Sequence, residues 1–325
     1  MILRIAFSVM MILCLAAAAL AEGTLHVRNQ FPPHLMFLKS APDTPRLLPG
    51  KGLKFSLSSD YAAVFVNETS ENWTALIDME MTVLDVSLEY GITEYLTLSA
   101  DAPLVSMNRG FTDGFLENYH SAFGFPNYGR ETRPKNEFAY SIKKNGVELF
   151  QAKSGGLHLT DMTLSAKMSL PDTGQIKSAL SYTLKLPTGD YEQGFGSNGF
   201  DHGFSLLSEF QIAPFTFRLN PSVIFLSDPE TAAGADISVN HTIFGLFAGS
   251  EYAFSKSLSL PAQLNYYTAP FKDTGIGQLD TDSLELALGF IYEFTPSISL
   301  EFAFCEDLTH SAPDFNIHLG LKIEK

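Results

Sequence analysis

The chain has 325 residues, with 36 Asp and Glu against 21 Lys and Arg, for a formal net charge of −15. That acidity argues against nucleic acid or anionic lipid as the main partner. Hydrophobic residues make up 45%, an ordinary globular share. Bulk composition therefore does not announce a membrane barrel, whose lipid face is diluted twofold along each strand.

Residues 1–21, MILRIAFSVMMILCLAAAALA, read as a cleaved signal peptide. Arg4 gives a positive start, Ile5 to Leu15 an apolar run, and Ala19-Leu20-Ala21 an A-x-A cleavage site. Cys14 lies inside the apolar run, away from the cleavage point, so a lipoprotein anchor is not expected. Removal of the signal leaves Cys305 alone, and one thiol cannot form an internal disulfide. No later stretch reaches the roughly 18–20 apolar residues of a membrane helix. Residues 22–50 are punctuated by Pro32, Pro33, Pro42, Pro45 and Pro49 and read as an irregular periplasmic or plug segment.

From residue 51 to 325 the pattern is period two, with no convincing amphipathic helix. Strands are expected at about 52–66, 75–90 and 95–107. Residues 108–157 then interrupt as a long extracellular insertion holding a small hairpin around Asn145-Gly146. Nine more strands are expected at about 159–170, 176–186, 202–212, 215–226, 237–254, 258–271, 283–294, 298–307 and 315–323. The last three are the cleanest. In SLELALGFIYEF, Leu284, Leu286, Leu288, Phe290, Tyr292 and Phe294 fall on one face, while Glu285 and Glu293 fall on the other.

An even set of twelve strands, most of about ten or more residues, fits tilted crossings of a hydrocarbon layer. Short connections near 92, 172, 213, 256 and 296 alternate with long ones near 70, 108–157, 187–201, 227–236, 272–282 and 308–314. Short periplasmic turns and long outer loops are the pattern of an outer-membrane barrel. The expected fold class is all-β, a transmembrane antiparallel up-and-down barrel of about 12 strands with both termini in the periplasm. A secreted soluble β-sandwich also alternates, but its strands are shorter and its loops have no fixed side.

Several strings resemble a known family. Arg28-Asn29-Gln30-Phe31-Pro32, HSAFGFPNYGR at 120–130 followed by Arg133-Pro134, KLPTGD at 185–190 and GSNGFD at 196–201 resemble a family of Gram-negative outer-membrane proteins known only as a domain of unknown function. KLPTGD is also similar to a loop in the barrel family named for the MetA pathway of phenol degradation, proposed to be transporters. The resemblance implies an outer-membrane barrel and supplies no activity. It singles out His120, Phe123, Phe125, Pro126, Tyr128, Arg130, Ser197 and Asp201 as loop-motif residues. Many outer-membrane proteins end in an aromatic, whereas this chain ends Ile323-Glu324-Lys325, so recognition by the barrel-assembly machinery would rest on Phe315 to Ile323.

Turn arithmetic gives a register for the inner wall. A two-residue turn at Ala213-Pro214 sets Glu209 opposite Arg218, with Lys185 on the neighbouring strand as a candidate third member. A three-residue turn at 295–297 sets Glu293 against Ser299, Ile291 against Glu301 and Glu285 against Asp307. The Glu285–Asp307 pair is two carboxylates near the outer mouth, expected to be screened by water or to form a cation-attracting ring. With His318, these residues make up the expected lumen lining. Many other inward residues are small, so side chains do not fill a twelve-stranded lumen. Either water occupies the space, or residues 22–50 or 108–157 plug it.

Catalysis finds no support in the pattern. None of the eight histidines has Ser two residues on, and the adjacent pairs His120-Ser121 and His310-Ser311 lie in expected loops. Neither CxxC nor HExxH occurs, so no metal or cofactor is expected. The function read from the sequence is a passive channel or small-solute uptake porin, exported to the outer membrane and possessing lipid, the assembly machinery and a small solute as partners. The alternatives are a closed structural or surface-binding barrel using loop 108–157, and a secreted soluble β-protein.

Overall fold

A computed structural model describes residues 23–124, 127–172 and 174–325, without the side chain of Phe123. The expected signal peptide and the motif residues Phe125 and Pro126 lie outside these. Within the described residues the strands are β1 (Leu53–Thr69), β2 (Trp73–Thr93), β3 (Leu96–Asn108), β4 (Ala139–Lys144), β5 (Val147–Gln151), β6 (His158–Leu159), β7 (Thr163–Ser169), β8 (Ile176–Lys185), β9 (Asp201–Ile212), β10 (Phe215–Phe225), β11 (Thr242–Ala253), β12 (Leu258–Tyr267), β13 (Ser283–Thr295), β14 (Ile298–Asp307) and β15 (Phe315–Glu324). Twelve of them form a closed antiparallel barrel. The order β1-β2-β3-β7 continues in sequence to β15, which returns to β1 through pairs from Lys54↔Glu324 to Ala63↔Phe315.

Closure leaves one short-turn end and one loop end. The turns at 94–95, 170–175, 213–214, 254–257 and 296–297 share the turn end with the start of β1 and the end of β15, where Leu53 N–H meets Lys325 O at 2.9 Å. The β1–β2 connection, expected to be long, is a three-residue tip at 70–72. It nevertheless projects far from the loop end, because β1 and β2 run for 17 and 21 residues.

The outer face carries the apolar period. Leu57, Leu88, Leu180, Leu219, Leu264 and Leu288 are exposed around its middle. Exposed aromatics gather at both rims: Tyr90, Tyr95, Phe215, Phe254, Tyr292 and Phe294 at the turn end, and Phe200, Phe204, Phe225 and Phe244 at the loop end. An apolar band between two aromatic girdles is the outer surface a bilayer selects.

Insertion 108–157 departs from expectation in one element. Residues Asp113–Phe123 form a helix, α1, closed by Gly124 in the left-handed region (φ 77°). The expected hairpin is present as β4–β5, with Asn145 and Gly146 both at positive φ (52° and 76°), as a two-residue turn between strands requires. β4 pairs with Trp73–Asp78 of β2 and so raises the wall beyond the barrel proper. A four-residue helix, α2 (Gly277–Asp280), lies in the loop after β12. No helix among the described residues is long and apolar enough to cross a membrane, which leaves strand crossings untouched.

Candidate functional site

Residues 23–50 make an excursion through the barrel interior. Five prolines deny this segment a continuous donor row, so it cannot pair as a strand, and wall side chains bind its backbone instead. It starts near the turn end, where Gly23 O accepts from Arg218 Nη1 at 2.8 Å. Leu25 N–H donates to Gln263 Oε1 at 2.7 Å, and Gln263 Nε2 donates back to Leu25 O at 3.1 Å. Asn29 Nδ2 reaches Ser283 Oγ at 2.8 Å and Ser311 O at 2.9 Å, both at the loop end. A 3-10 turn at Pro32–His34 reverses the chain. Leu38 N–H then donates to Asp201 Oδ2 at 3.0 Å. On the way back Asp43 meets Lys167 Nζ at 2.9 Å, Leu48 N–H donates to Thr97 Oγ1 at 3.0 Å, and Lys51 N–H donates to Gly91 O at 2.7 Å at the turn end.

The two ends of this excursion differ in chemistry. At the loop end Phe31, Met36, Phe37 and Leu38 are buried in one cluster with Val64, Trp73, Ile77, Phe150, Phe195 and Phe271. His34 lies there too, hydrogen-bonded to Tyr267 at 2.9 Å, and burial holds its pKa well below the usual imidazole value. Burial likewise raises the Tyr140 phenol. Toward the turn end the surroundings are polar. A cavity of about 200 Å³ is lined there by Lys54, Ser56, Glu89, Thr97, Lys167 and Lys322, among others. A smaller one of about 60 Å³ lies higher, between Arg28, Lys39, Asp85 and Lys185.

Charge complementarity holds the middle of the segment. Arg28 Nη2 lies 3.0 Å from Asp85 Oδ2 and 3.6 Å from Asp101 Oδ1. His26 completes a group whose ligand-type atoms, with those of Asp85 and Asp101, lie within 4.8 Å of one another. Arg28 supplies the positive charge at that point, 3.1 Å from His26 Nε2. Lys39 donates to Asn29 O at 2.6 Å. Burial draws its pKa down to about 7, against the pull of the Glu285 carboxylate. Arg46 pairs with Glu324 at 2.5 Å.

The residues singled out from sequence fall into three groups. Glu209 pairs with Arg218 as the turn arithmetic requires, at 2.8 Å, and Arg218 also binds Glu251 at 2.7 Å. Lys185 does not join them. Its register partner is Asp201, so it sits at the loop end, 2.5 Å from Asp161 and 3.4 Å from Asp201, while Lys177 is the lysine opposite Glu209. The second group follows the 295–297 turn: Glu293↔Ser299, Ile291↔Glu301 and Glu285↔Asp307 are all register pairs. Glu285 is buried beneath the N-terminal segment, so bulk water is not what surrounds it, and Asp307 is half-buried. Glu301 lies between His318 Nε2 at 2.9 Å and Lys322 Nζ at 2.6 Å, and His318 Nδ1 faces Asp60 at 3.1 Å. Glu293 is half-buried and borders the larger cavity.

The third group is the loop motifs, and here the structure supplies partners that the sequence did not. Asp161 is the hub of KLPTGD and GSNGFD. Its carboxylate accepts from Lys185 Nζ and from the N–H groups of Thr188, Gly189 and Ser197, at 2.5 to 3.1 Å. A Cβ at position 196 would lie 2.4 Å from Asp161 Oδ1, which is why glycine stands there. Ser197 Oγ accepts from Lys185 at 2.5 Å, and Asp201 accepts from Ser227 as well as Leu38. His120 contacts Asn127 at 3.0 Å, and Tyr128 contacts His310 at 3.1 Å.

Arg130 organises the insertion. Its buried guanidinium binds Asp113 at 2.6 Å and also Asp314, and lies 5.0 Å over the Phe65 ring. Burial opposes its charge, but Asp314 and Asp113 outweigh that and hold its pKa above the ordinary value. Phe65 points outward, as do its neighbours Ala63, Asp78 and Glu80. Arg133 pairs with Asp78 at 2.8 Å, while Glu80 accepts from Phe111 N–H at 2.8 Å and Thr112 N–H at 2.5 Å. This part of the insertion therefore lies on the outside of the wall, and the segment inside the lumen is 23–50.

The family described as "Protein of unknown function (DUF3187)" matches residues 2–324, and the chain belongs to it. No curated protein matches the chain. Among solved structures, a NanC porin is similar over 83% of this chain and 98% of its own, at 8% identity and a TM-score of 0.48. The CymD monoaromatic hydrocarbon channel is similar over 92% and 94%, at 13% identity and 0.41. A Pseudomonas aeruginosa FadL homologue is similar over 93% and 99%, at 10% identity and 0.40.

Proposed function

We propose that this member of the DUF3187 family is an outer-membrane barrel acting as a gated passive channel for small polar solutes, held shut by its own residues 23–50. The turn end faces the periplasm and the loop end faces outward, after export by the signal peptide and insertion by the barrel-assembly machinery. The apolar outer band between two aromatic girdles supports the membrane placement. The observation that carries the gate is the manner in which 23–50 is held. Below its apolar apex, polar and charged contacts such as Arg28–Asp85, Lys167–Asp43 and Arg46–Glu324 hold the segment. Water can replace such contacts, which suits a segment that moves. The polar wall around the larger cavity fits a polar solute entering or leaving at the turn end.

The test is single-channel conductance in planar bilayers, comparing the mature protein with a variant lacking residues 23–49 and with an Arg28→Ala, Arg46→Ala variant. Heat-modifiable migration checks the folding of each. The mature protein is expected to be mostly silent and both variants to conduct. A folded, inserted deletion variant that stays silent would overturn the channel and leave a closed structural or surface-binding barrel. The point variants keep the test informative if the deletion fails to fold.

A further inference from the structure

We propose that α1 is a membrane-boundary helix whose Phe111-Phe115 edge enters the acyl-chain layer of the leaflet at the loop end, supplying the part of the aromatic girdle that the barrel wall lacks. The inference rests on the membrane placement proposed above. Girdle residues Phe200, Phe204, Phe225 and Phe244 project from β8–β11 and their connections at the loop end. Across β15, β1 and β2 the same level of the wall is different. Its outward positions Ala63, Phe65, Asp78, Glu80 and Phe315 are all buried.

What buries them is the insertion. Leu116 is 1% exposed and packs against Ala63 and Phe315. Phe111 lies against Tyr61 at 5.9 Å between ring centroids, and Tyr61 is the register partner of the exposed belt residue Ile317. The helix therefore lies tangent to the wall at the upper edge of the apolar belt, continuous with it.

The helix and the two residues before it present two sides of different fate. Thr112, Leu116 and His120 face the wall and are buried. Phe111, at the edge of the contact with Tyr61, and Phe115 are 75% and 63% exposed, with Phe115 stacked on Tyr119 at 6.0 Å. Between these sides Glu117 pairs with Lys135, which marks the water side. Two exposed phenyl rings, one turn apart and level with the belt, find their counterpart in lipid chains. The same packing removes the Glu80 and Asp78 carboxylates from a surface that would otherwise meet lipid, where charge is costly.

Tryptophan fluorescence in bilayers with lipids brominated either near the headgroup or deep in the chain tests this. The variants are Phe115→Trp and, as a second probe of the edge, Phe111→Trp, with Leu319→Trp as the belt reference. The buried Trp73 of the unmutated protein gives the baseline. The added emission of both edge variants is expected to be lost mainly with the shallow bromines, and that of Leu319→Trp with the deep ones. A quenched Leu319→Trp alongside unquenched Phe115→Trp and Phe111→Trp would overturn the boundary helix and leave the membrane barrel standing. If no variant is quenched, the membrane placement fails, and the boundary helix fails with it.

Discussion

Arg28 Nη2 lies 3.0 Å from Asp85 Oδ2 on β2 and 3.6 Å from Asp101 Oδ1 on β3, so one guanidinium ties the lumenal segment to two neighbouring strands. Without it two carboxylates would face each other across a confined space. Removing one partner of a buried ion pair costs about 3–5 kcal/mol, because the remaining charge is left uncompensated. Arg28 keeps 20% side-chain exposure, so the low end applies.

Arg28→Ala is therefore expected to loosen residues 23–50 without unfolding the barrel. The measurement is protease cleavage within 23–50 in the detergent-folded protein, which should quicken markedly while heat-modifiable migration is kept. Adding Asp85→Asn and Asp101→Asn should slow cleavage again, since the stranded charges are then gone. Unchanged cleavage in Arg28→Ala would show that the apolar apex and the remaining wall contacts hold the segment without Arg28.

Sequence legibility follows how each element is surrounded. β13, β14 and β15 were readable because lipid-type and lumen-type surroundings alternate residue by residue, and short turns then fix register by arithmetic. The Glu285–Asp307 pairing came from the same arithmetic, but what covers it did not. Lys39 and Asn29 reach that region from a segment whose prolines erase any period. Lys185 escapes the arithmetic because β8 meets β9 through the long 186–200 connection, which fixes no register by turn length and leaves Lys185 at the loop end opposite Asp201. The helix α1 is hard to read from sequence because its apolar residues do not fall on one side. Phe111 and Phe115 stay exposed while Leu116 is buried against the wall, which blurs a helical stripe.

Asp161 should be among the least replaceable residues outside the barrel wall. It gathers Lys185 and three backbone N–H groups and is itself 5% exposed. Asp161→Ala leaves a buried lysine with Asp201 as its only nearby carboxylate among the described contacts, and takes the acceptor from the Gly189 and Ser197 N–H groups, while Thr188 N–H keeps Leu186 O. The expected loss is about 3–5 kcal/mol. Urea titration of the folded protein should show the midpoint falling, with Asp161→Asn intermediate because it keeps an acceptor oxygen.

Arg130→Lys separates charge from shape. The guanidinium reaches Asp113 and Asp314 with two different nitrogens while lying over Phe65, and an ammonium offers no planar fork for that. The insertion is expected to detach from the wall more often, at a cost of about 2 kcal/mol, the scale of a hydrogen bond to a charged group. Amide exchange across 109–136 should speed up with no change in β9–β12. Equal acceleration in both regions would mean that Arg130 supports the whole barrel instead of the insertion alone.

Ion selectivity of the opened barrel tests the inner wall directly. The wall is rich in carboxylates, including Asp60, Asp85, Asp101, Glu251, Glu285 and Glu301. Arg28, Lys39 and Arg46 come from the lumenal segment, so a variant lacking 23–49 removes all three together while the wall acids stay. Its current should be cation-selective, because a confined surface of one sign concentrates the opposite ion. Adding Glu285→Gln and Asp307→Asn should lower the cation-to-anion permeability ratio, and the effect should shrink in concentrated salt as screening shortens. His318 and Lys322 already neutralise Glu301 locally, so Glu301→Gln should change the ratio less. Anion selectivity in the deletion variant would show that Lys54, Lys167 and Lys322 at the turn end control passage instead of the acidic middle of the wall.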